Sequence, residues 1–478
     1  VITQRTAQIE FYGGRSRTAA LAWGQQGTWD LFQDWLPEVK PFFVLTRWLP
    51  VPLLMSLEEV FEQIGEILNR HEALCTLYRA PARGQASQEV LASGTLSVEV
   101  IDRAADDPVS FTDIVTGCLQ RFSSRAFEHG EELPVRFAVA TQDNIPILVV
   151  FAVSHLSADY TSAEILVAEL SALLQARVKR QDPPPPRPAL QPVDLATFEG
   201  SPAGQLLTVD AMHHMRAQLA RMSQGMLPAR RAPESPRFFR GELESDAIPV
   251  ALRAAARRYR TTTSVLLLAI TTSLLRPFLP GPFYPLDVMH SNRTTPDLFF
   301  TVTSLNQAVL CAVDLTATSF KDLLAQSDSV MTRARQHARY DQRAAARVFR
   351  GAADARGAAF DPGGQFNDMW STLPRPAGPV ATTPQALAQL ARSTTFSWPQ
   401  KTEAEGVALF LDTRGTAQRI ELSLMADTAV LAPAEIRAIL ETFEQVAIAL
   451  AGGDVTLDAV AGLLDEHLSA QRPTASTP

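Results

Sequence analysis

His155 and Asp159 stand four residues apart in Ser154-His155-Leu156-Ser157-Ala158-Asp159-Tyr160, directly after a valine-rich apolar run, Ile147–Val153. A neutral imidazole, with an ordinary pKa near ~6.5, can take a proton from an amine or an alcohol at neutral pH. This is therefore a place for a general base. A carboxylate at that distance can orient the loop, either on the ring or through a distant cation. The spacing alone is a weak signal, because it recurs in His337-Ala338-Arg339-Tyr340-Asp341. That copy falls in an arginine-rich helical stretch with no strand before it. Residues four apart on a helix are simply neighbours on one face, so the second copy reads as a bystander.

The elements around His155 set it apart. Ile145–Val153 reads as a strand buried on both faces, since its apolar residues are continuous. Val135–Thr141 pairs with it through the turn residues Gln142-Asp143-Asn144. Thr161 and Glu164 have capping-box spacing and open a helix with Leu166, Leu170, Leu173 and Leu174 on its apolar face. His155 is thus expected at the mouth of a buried strand, and Asp159 in the tight loop before the helix. Upstream, Thr18–Trp35 reads as a helix, Phe42–Leu49 as a strand, and Ser56 as the cap of an amphipathic helix to Asn69.

The run Asp182-Pro183-Pro184-Pro185-Pro186-Arg187-Pro188 can neither join a sheet nor continue a helix, and reads as a stiff spacer. Mixed elements resume after it, with helices at Leu206–Met222, Val250–Tyr259, Thr263–Leu275, Phe320–Ala338 and Pro433–Leu450. The expected division is a first α/β lobe at 1–181, a Pro-rich linker at 182–192, a second lobe at 193–468, and a disordered tail at 469–478.

The 478 residues suffice for two or more domains, and 46% hydrophobic with 20% charged residues is a globular balance. A net charge of −8 disfavours nucleic acid as a partner. The arginines between Arg333 and Arg350 read as a solvated helix face. Cys75, Cys118 and Cys311 are scattered in apolar settings, which suits reduced, buried thiols, and no pair has metal-ligand spacing. No apolar run reaches the length of a membrane span and no secretory leader opens the chain, so a cytoplasmic location is expected, and a monomer is expected beside it.

The segment from Ser154 to Tyr160 resembles the H-H-x-x-x-D-G motif of the condensation domains of nonribosomal peptide synthesis, relatives of chloramphenicol acetyltransferase. Arg70-His71-Glu72-Ala73-Leu74-Cys75-Thr76-Leu77-Tyr78 is similar to that family's R-H-E-x-L-R-T-x-F block. Leu21-Ala22-Trp23-Gly24-Gln25-Gln26-Gly27-Thr28-Trp29 resembles its first block, S-x-A-Q-x-R-L-W. The three occur in the family's order. Ser291-Asn292-Arg293 resembles its S-G-R element, while Leu305–Gln307 and Gln365–Trp370 match later blocks loosely.

The resemblance implies two chloramphenicol-acetyltransferase-like lobes set in a V, a pseudo-dimer with the active site between them and a tunnel entered from both sides. It implies His155 as the catalytic residue and Asp159 as a structural carboxylate paired with Arg293. Ser154 replaces the motif's first His, a structural position, and Arg70 and His71 are read as structural. Ser157 and Tyr160 are placed on the substrate tunnel. Tyr160 stands where the family has glycine, and its bulk would narrow the acceptor side. The implied activity is amide or ester formation, with the acyl group arriving on the phosphopantetheine arm of an acyl or peptidyl carrier protein. A small free amine or alcohol suits a narrowed acceptor side. No bound cofactor and no metal are expected. Two alternatives stand beside this reading: a catalytically inactive condensation-like platform that recruits a partner protein, and an acyl-coenzyme-A-dependent acyltransferase.

Overall fold

Ile145–Ser154 is the strand around which the first unit is organised. It lies inside a five-stranded sheet in the order Thr3–Phe11, Gly94–Arg103, Val135–Gln142, Ile145–Ser154, Val44–Pro50. Antiparallel pairing sets Val153 beside Val135 on one side and Leu45 on the other. Side chains alternate across the sheet. Val149, Phe151 and Val153 pack with Ile64, Leu68, Leu170 and Leu174 from the helices Leu57–Arg70 and Tyr160–Val178. Leu148, Val150 and Ala152 pack on the opposite face with Cys118 and Phe122 of the helix Phe111–Ser123. The run is uniformly apolar because both faces are covered. In the hairpin before it, Asp143 and Asn144 take φ of 49° and 65°, the left-handed pair that a two-residue hairpin turn needs.

The computed structural model describes the chain apart from residues 1, 14, 35–42, 81–84, 223–226, 280, 358–362, 374–381, 404–405 and 472–478. Two compact units emerge. The first contains Val1–Thr208, Ser291–Gln307 and Arg339–Gln342, and the second Val209–His290, Ala308–Ala338 and Arg343–Pro478. The second unit is built on a seven-stranded sheet, ordered Gln307–Asp314, Phe283–His290, Gly364–Asp368, Leu409–Gly415, Ile420–Asp427, Phe238–Ser245, Thr395–Thr402. Its core packs the helix Thr263–Leu275, buried from Val265 onward, with Ala247–Tyr259 and Pro433–Gly452. Cys75, Cys118 and Cys311 are buried and free. No helix among the described residues is long and apolar enough to cross a membrane.

The units do not divide at the proline run. The run is extended, as its fixed φ dictates, but it lies on the first unit. Arg70 Nη2 donates to Pro184 O at 2.8 Å, the Arg187 guanidinium stacks on Phe300 at 4.3 Å, and Leu190 N donates to Asp297 O at 2.9 Å. Chain tied down so closely cannot act as a spacer, and the helix Pro192–Gly200 belongs to the first unit with it. The expected disordered tail also shifts, because Ser469 and Ala470 end the helix Leu457–Ala470. Residues 472–478 lie outside the described residues.

Two local expectations also change. Thr18–Trp35 is not one helix: Arg17–Ala20 is a strand paired with Ser87–Val90, and the helix begins at Trp23. A partner strand overrides the local helical preference. The Thr161–Glu164 box does not form. Asp159 caps the helix two residues earlier by accepting from Ser162 N at 2.8 Å, and Glu164 instead pairs with Arg47 at 2.7 Å.

Glu199, on the helix Pro192–Gly200, is buried and accepts from Trp23 N at 2.7 Å, which fixes the start of the helix Trp23–Asp34. Burial pushes its carboxyl up to about 7, against the Trp23 bond and the Arg339 charge. Between the ordinary carboxylate range and about pH 7, the folded chain therefore keeps a proton that the unfolded chain has lost, and stability falls as pH rises through that window. Glu199→Gln keeps an oxygen for Trp23. It is expected to be more stable than the parent above about pH 7, by roughly 1–3 kcal/mol, with the gain gone near pH ~4.5. Denaturation midpoints compared across this range check it; parallel curves would refute it.

Candidate active site

The end of the Ile145–Ser154 strand delivers His155. Its backbone N donates to Phe43 O at 2.8 Å, one step beyond the Val44–Ser154 register. Ser157 N and Ala158 N both donate back to Ser154 O, at 2.9 and 3.0 Å, closing a tight turn. The His155 ring is half-buried and lies 3.5 Å through Nδ1 from Ser304 Oγ, and its edge faces Phe43 with centroids 6.0 Å apart. Burial lowers its pKa, against a bond to its own backbone and the Asp159 charge, so the ring is neutral near pH 7.

Ser304 also bonds Thr28 Oγ1 at 2.9 Å, and Thr28 donates to Gly24 O at 3.1 Å. A Cβ on Gly24 would stand 2.2 Å from Ser304 O, so glycine is what lets the helix Trp23–Asp34 approach the Thr303–Leu305 backbone. This links the first block singled out in the sequence to the histidine loop.

The Asp159 carboxylate is bonded to Arg293 and not to the His155 ring. Arg293 Nη1 donates to Oδ2 at 2.7 Å and Nη2 to Oδ1 at 2.8 Å, with both side chains buried. Ser162 N at 2.8 Å and Leu305 N at 3.3 Å complete the carboxylate's bonds. Arg293 Nη2 further donates to Ser162 Oγ at 2.8 Å and Thr301 O at 3.0 Å. Burial alone would raise the Asp159 carboxyl; the Arg293 charge and these bonds outweigh it and hold it below its ordinary range. The loop is therefore clamped at His155 + 4, leaving the imidazole free of the carboxylate.

Ser154 is buried, with His129 Nε2 at 2.6 Å from its Oγ and Leu156 N donating to it at 3.2 Å. Ser157 was expected on the tunnel, and here the structure differs. Ser157 is fully buried, with its hydroxyl 2.7 Å from the Tyr78 hydroxyl, so it packs the back of the loop. Tyr160 is the first residue of the helix Tyr160–Val178, half-buried, with the Arg47 guanidinium over its ring at 4.8 Å. His71 Nε2 lies 2.7 Å from Glu169, and Arg70 holds Glu66 at 2.8 Å as well as the proline run, which are bracing contacts. His337 is the last residue of the helix Phe320–His337, stacked on His214 at 4.4 Å and 3.0 Å from Asp210, and Asp341 lies past the helix end. The single-helix reading of that second copy thus fails, because the helix stops first. Ser304, His129 and Arg47 were not singled out from sequence, and Thr28 was named there as part of the first block. Ser304 adjoins the loosely matching Leu305–Gln307 block, whereas nothing in the sequence pointed to His129.

The family model described as "Condensation domain" matches residues 25–453, most of the chain. The chain belongs to the condensation-domain family. A curated relative, described as a probable non-canonical nonribosomal peptide synthetase, CymA, from Salinispora arenicola, is 24% identical over 267 residues. The match covers 54% of this chain and 3% of that much longer protein. Among solved condensation-type structures, the complex of the X-domain and OxyB from teicoplanin biosynthesis aligns with a TM-score of 0.64 at 17% identity, covering 93% of this chain and 96% of that one. A starter condensation domain of rhizomide synthetase RzmA, in complex with C8-CoA, aligns with a TM-score of 0.67 at 14% identity, covering 92% of this chain and 97% of that one. These likenesses show the mixed α/β, chloramphenicol-acetyltransferase-like fold of condensation domains.

Proposed function

We propose that this condensation domain transfers an acyl group from a thioester to an amine or alcohol, forming an amide or an ester, with His155 as general base. The observation that carries this reading is an imidazole at the end of a rigid strand, neutral at pH 7 and not engaged by the neighbouring carboxylate. The imidazole takes the proton of the acceptor N–H or O–H as the nucleophile attacks the thioester carbonyl. The C–S bond then breaks, and the imidazolium returns the proton to the leaving thiolate. Asp159 and Arg293 hold the loop, with Ser154 behind it, and touch no reacting atom. The donor we favour is a phosphopantetheine thioester on an acyl or peptidyl carrier protein; the C8-CoA on the RzmA domain keeps acyl-coenzyme A as the alternative donor. Turnover of an acyl thioester by the chain, and its loss in His155→Ala, tests the reading.

Tyr160 is proposed to narrow the acceptor side, so that the acceptor is a small free amine or alcohol. In support, its ring is bulky where the family motif has glycine, and Arg47 holds it. Tyr160→Gly and Tyr160→Ala are expected to raise kcat/KM for a carrier-bound acceptor about tenfold or more, with little change for a small one. Equal use of both acceptors by the parent would show Tyr160 to be a packing residue. The likeness to the X-domain bound to OxyB favours a second reading, a platform that recruits a partner protein. Saturable partner binding without turnover of any thioester would establish that reading in place of the first.

A further inference from the structure

Phe43, whose ring meets His155, also walls a separate cavity of about 170 Å³ within the first unit. Trp29, Phe32 and Phe127 line it as well. Phe32 and Phe43 meet edge to face at 4.8 Å, and His129 tilts against Phe32 at 5.2 Å. One side of the cavity is thus aromatic, with Gln33 and Glu128 at its exposed edge, and the preferred offset and edge contacts of rings are available to a further ring. An apolar cavity of roughly 150 Å³ is large enough for benzene, so this volume accommodates one ring.

Ser154 contributes the buried polar group. A hydroxyl has one donor and two acceptor lone pairs. Leu156 N donates to the Ser154 hydroxyl at 3.2 Å, and His129 Nε2 lies 2.6 Å away. These two contacts leave one of its three hydrogen-bonding positions for a ligand. The cavity therefore suits a ring carrying a hydroxyl, which can donate to that position or accept from it.

We propose that this cavity binds a single aromatic ring carrying a hydroxyl, of the phenol class, with that hydroxyl hydrogen-bonded to Ser154 Oγ. That the ring belongs to a substrate rests on the acyltransferase reading; the binding itself does not.

The test titrates phenol and toluene into the full chain by calorimetry. Phenol is expected to bind saturably and at least about fivefold more tightly than toluene, the worth of about one hydrogen bond. Ser154→Ala should bring phenol to the toluene level and leave toluene unchanged. Ala126→Phe fills the cavity from its lining and should weaken phenol at least about tenfold in a variant whose cooperative melting shows it folded. Gly130→Val is a second filling variant, since a Cβ there meets its nearest atom at 3.7 Å. His155→Ala should bind phenol as the parent does, which separates failure of this proposal from failure of the catalytic one. Absence of saturable phenol binding, or parent-like binding in a folded filling variant, would overturn it.

Discussion

His155→Ala is expected to fold like the parent and to lose turnover by on the order of 10²- to 10⁴-fold, the usual worth of a positioned general base. The ring is half-buried at the end of a strand whose packing comes from Val149, Phe151 and Val153, so removing the imidazole leaves the core untouched. The loss should fall on kcat more than on KM, because proton transfer belongs to the transition state. The same base sets the pH profile. Its pKa is lowered by burial, so kcat/KM should rise with pH along an acid limb centred below about 6.5 and be flat by pH ~7. That limb should vanish in His155→Ala. Undiminished turnover in a well-folded variant would remove His155 from the mechanism. His337→Ala is the control and should leave activity unchanged, since that ring stacks on His214 in the second unit.

Removing either partner of the Asp159–Arg293 pair should have the largest effect on stability, about 3–5 kcal/mol. Both side chains are buried, and each substitution strands a charge that the bidentate contact now satisfies. Asp159→Ala leaves the guanidinium with Ser162 Oγ and the Thr301 and Ser291 carbonyls; Arg293→Ala leaves the carboxylate with Ser162 N and Leu305 N. The double variant should cost less than the sum of the singles, since it buries no lone charge. The linkage has a sign. Arg293 holds the Asp159 pKa below its ordinary range, so the pair's contribution is full above that range and is lost as pH falls through the lowered value. Asp159→Asn should therefore differ from the parent at pH 7 and converge with it in strong acid. Denaturant midpoints unchanged in both single variants would show that the clamp carries no stability.

Much of the site was legible before any coordinates. An uninterrupted valine run means a strand covered on both faces, whatever covers it, and the Asp143-Asn144 turn means a hairpin ending in that strand. Those two facts put His155 at a strand mouth. The helix caps were less legible: Asp159, Thr161 and Glu164 all suit a helix start. The choice of Asp159 depended on Arg293, more than a hundred residues away in sequence, which neutralises a carboxylate that burial would otherwise disfavour.

What the sequence determined by itself was local: strand and helix character, the fixed φ of the prolines, and a histidine at an element boundary. What the tertiary structure decided was partnership. Arg17–Ala20 became a strand because Ser87–Val90 was there to pair with it. The proline run became part of the first unit because Arg70 and Phe300 were placed to hold it. Ser157 was withdrawn from any tunnel by the Tyr78 hydroxyl, and Ser154 acquired His129 as a partner. Backbone propensity acts over a few residues and can be read from their order. Desolvation and hydrogen bonding act between whatever groups the fold brings within about 3 Å, and that neighbourhood exists once the chain has closed on itself.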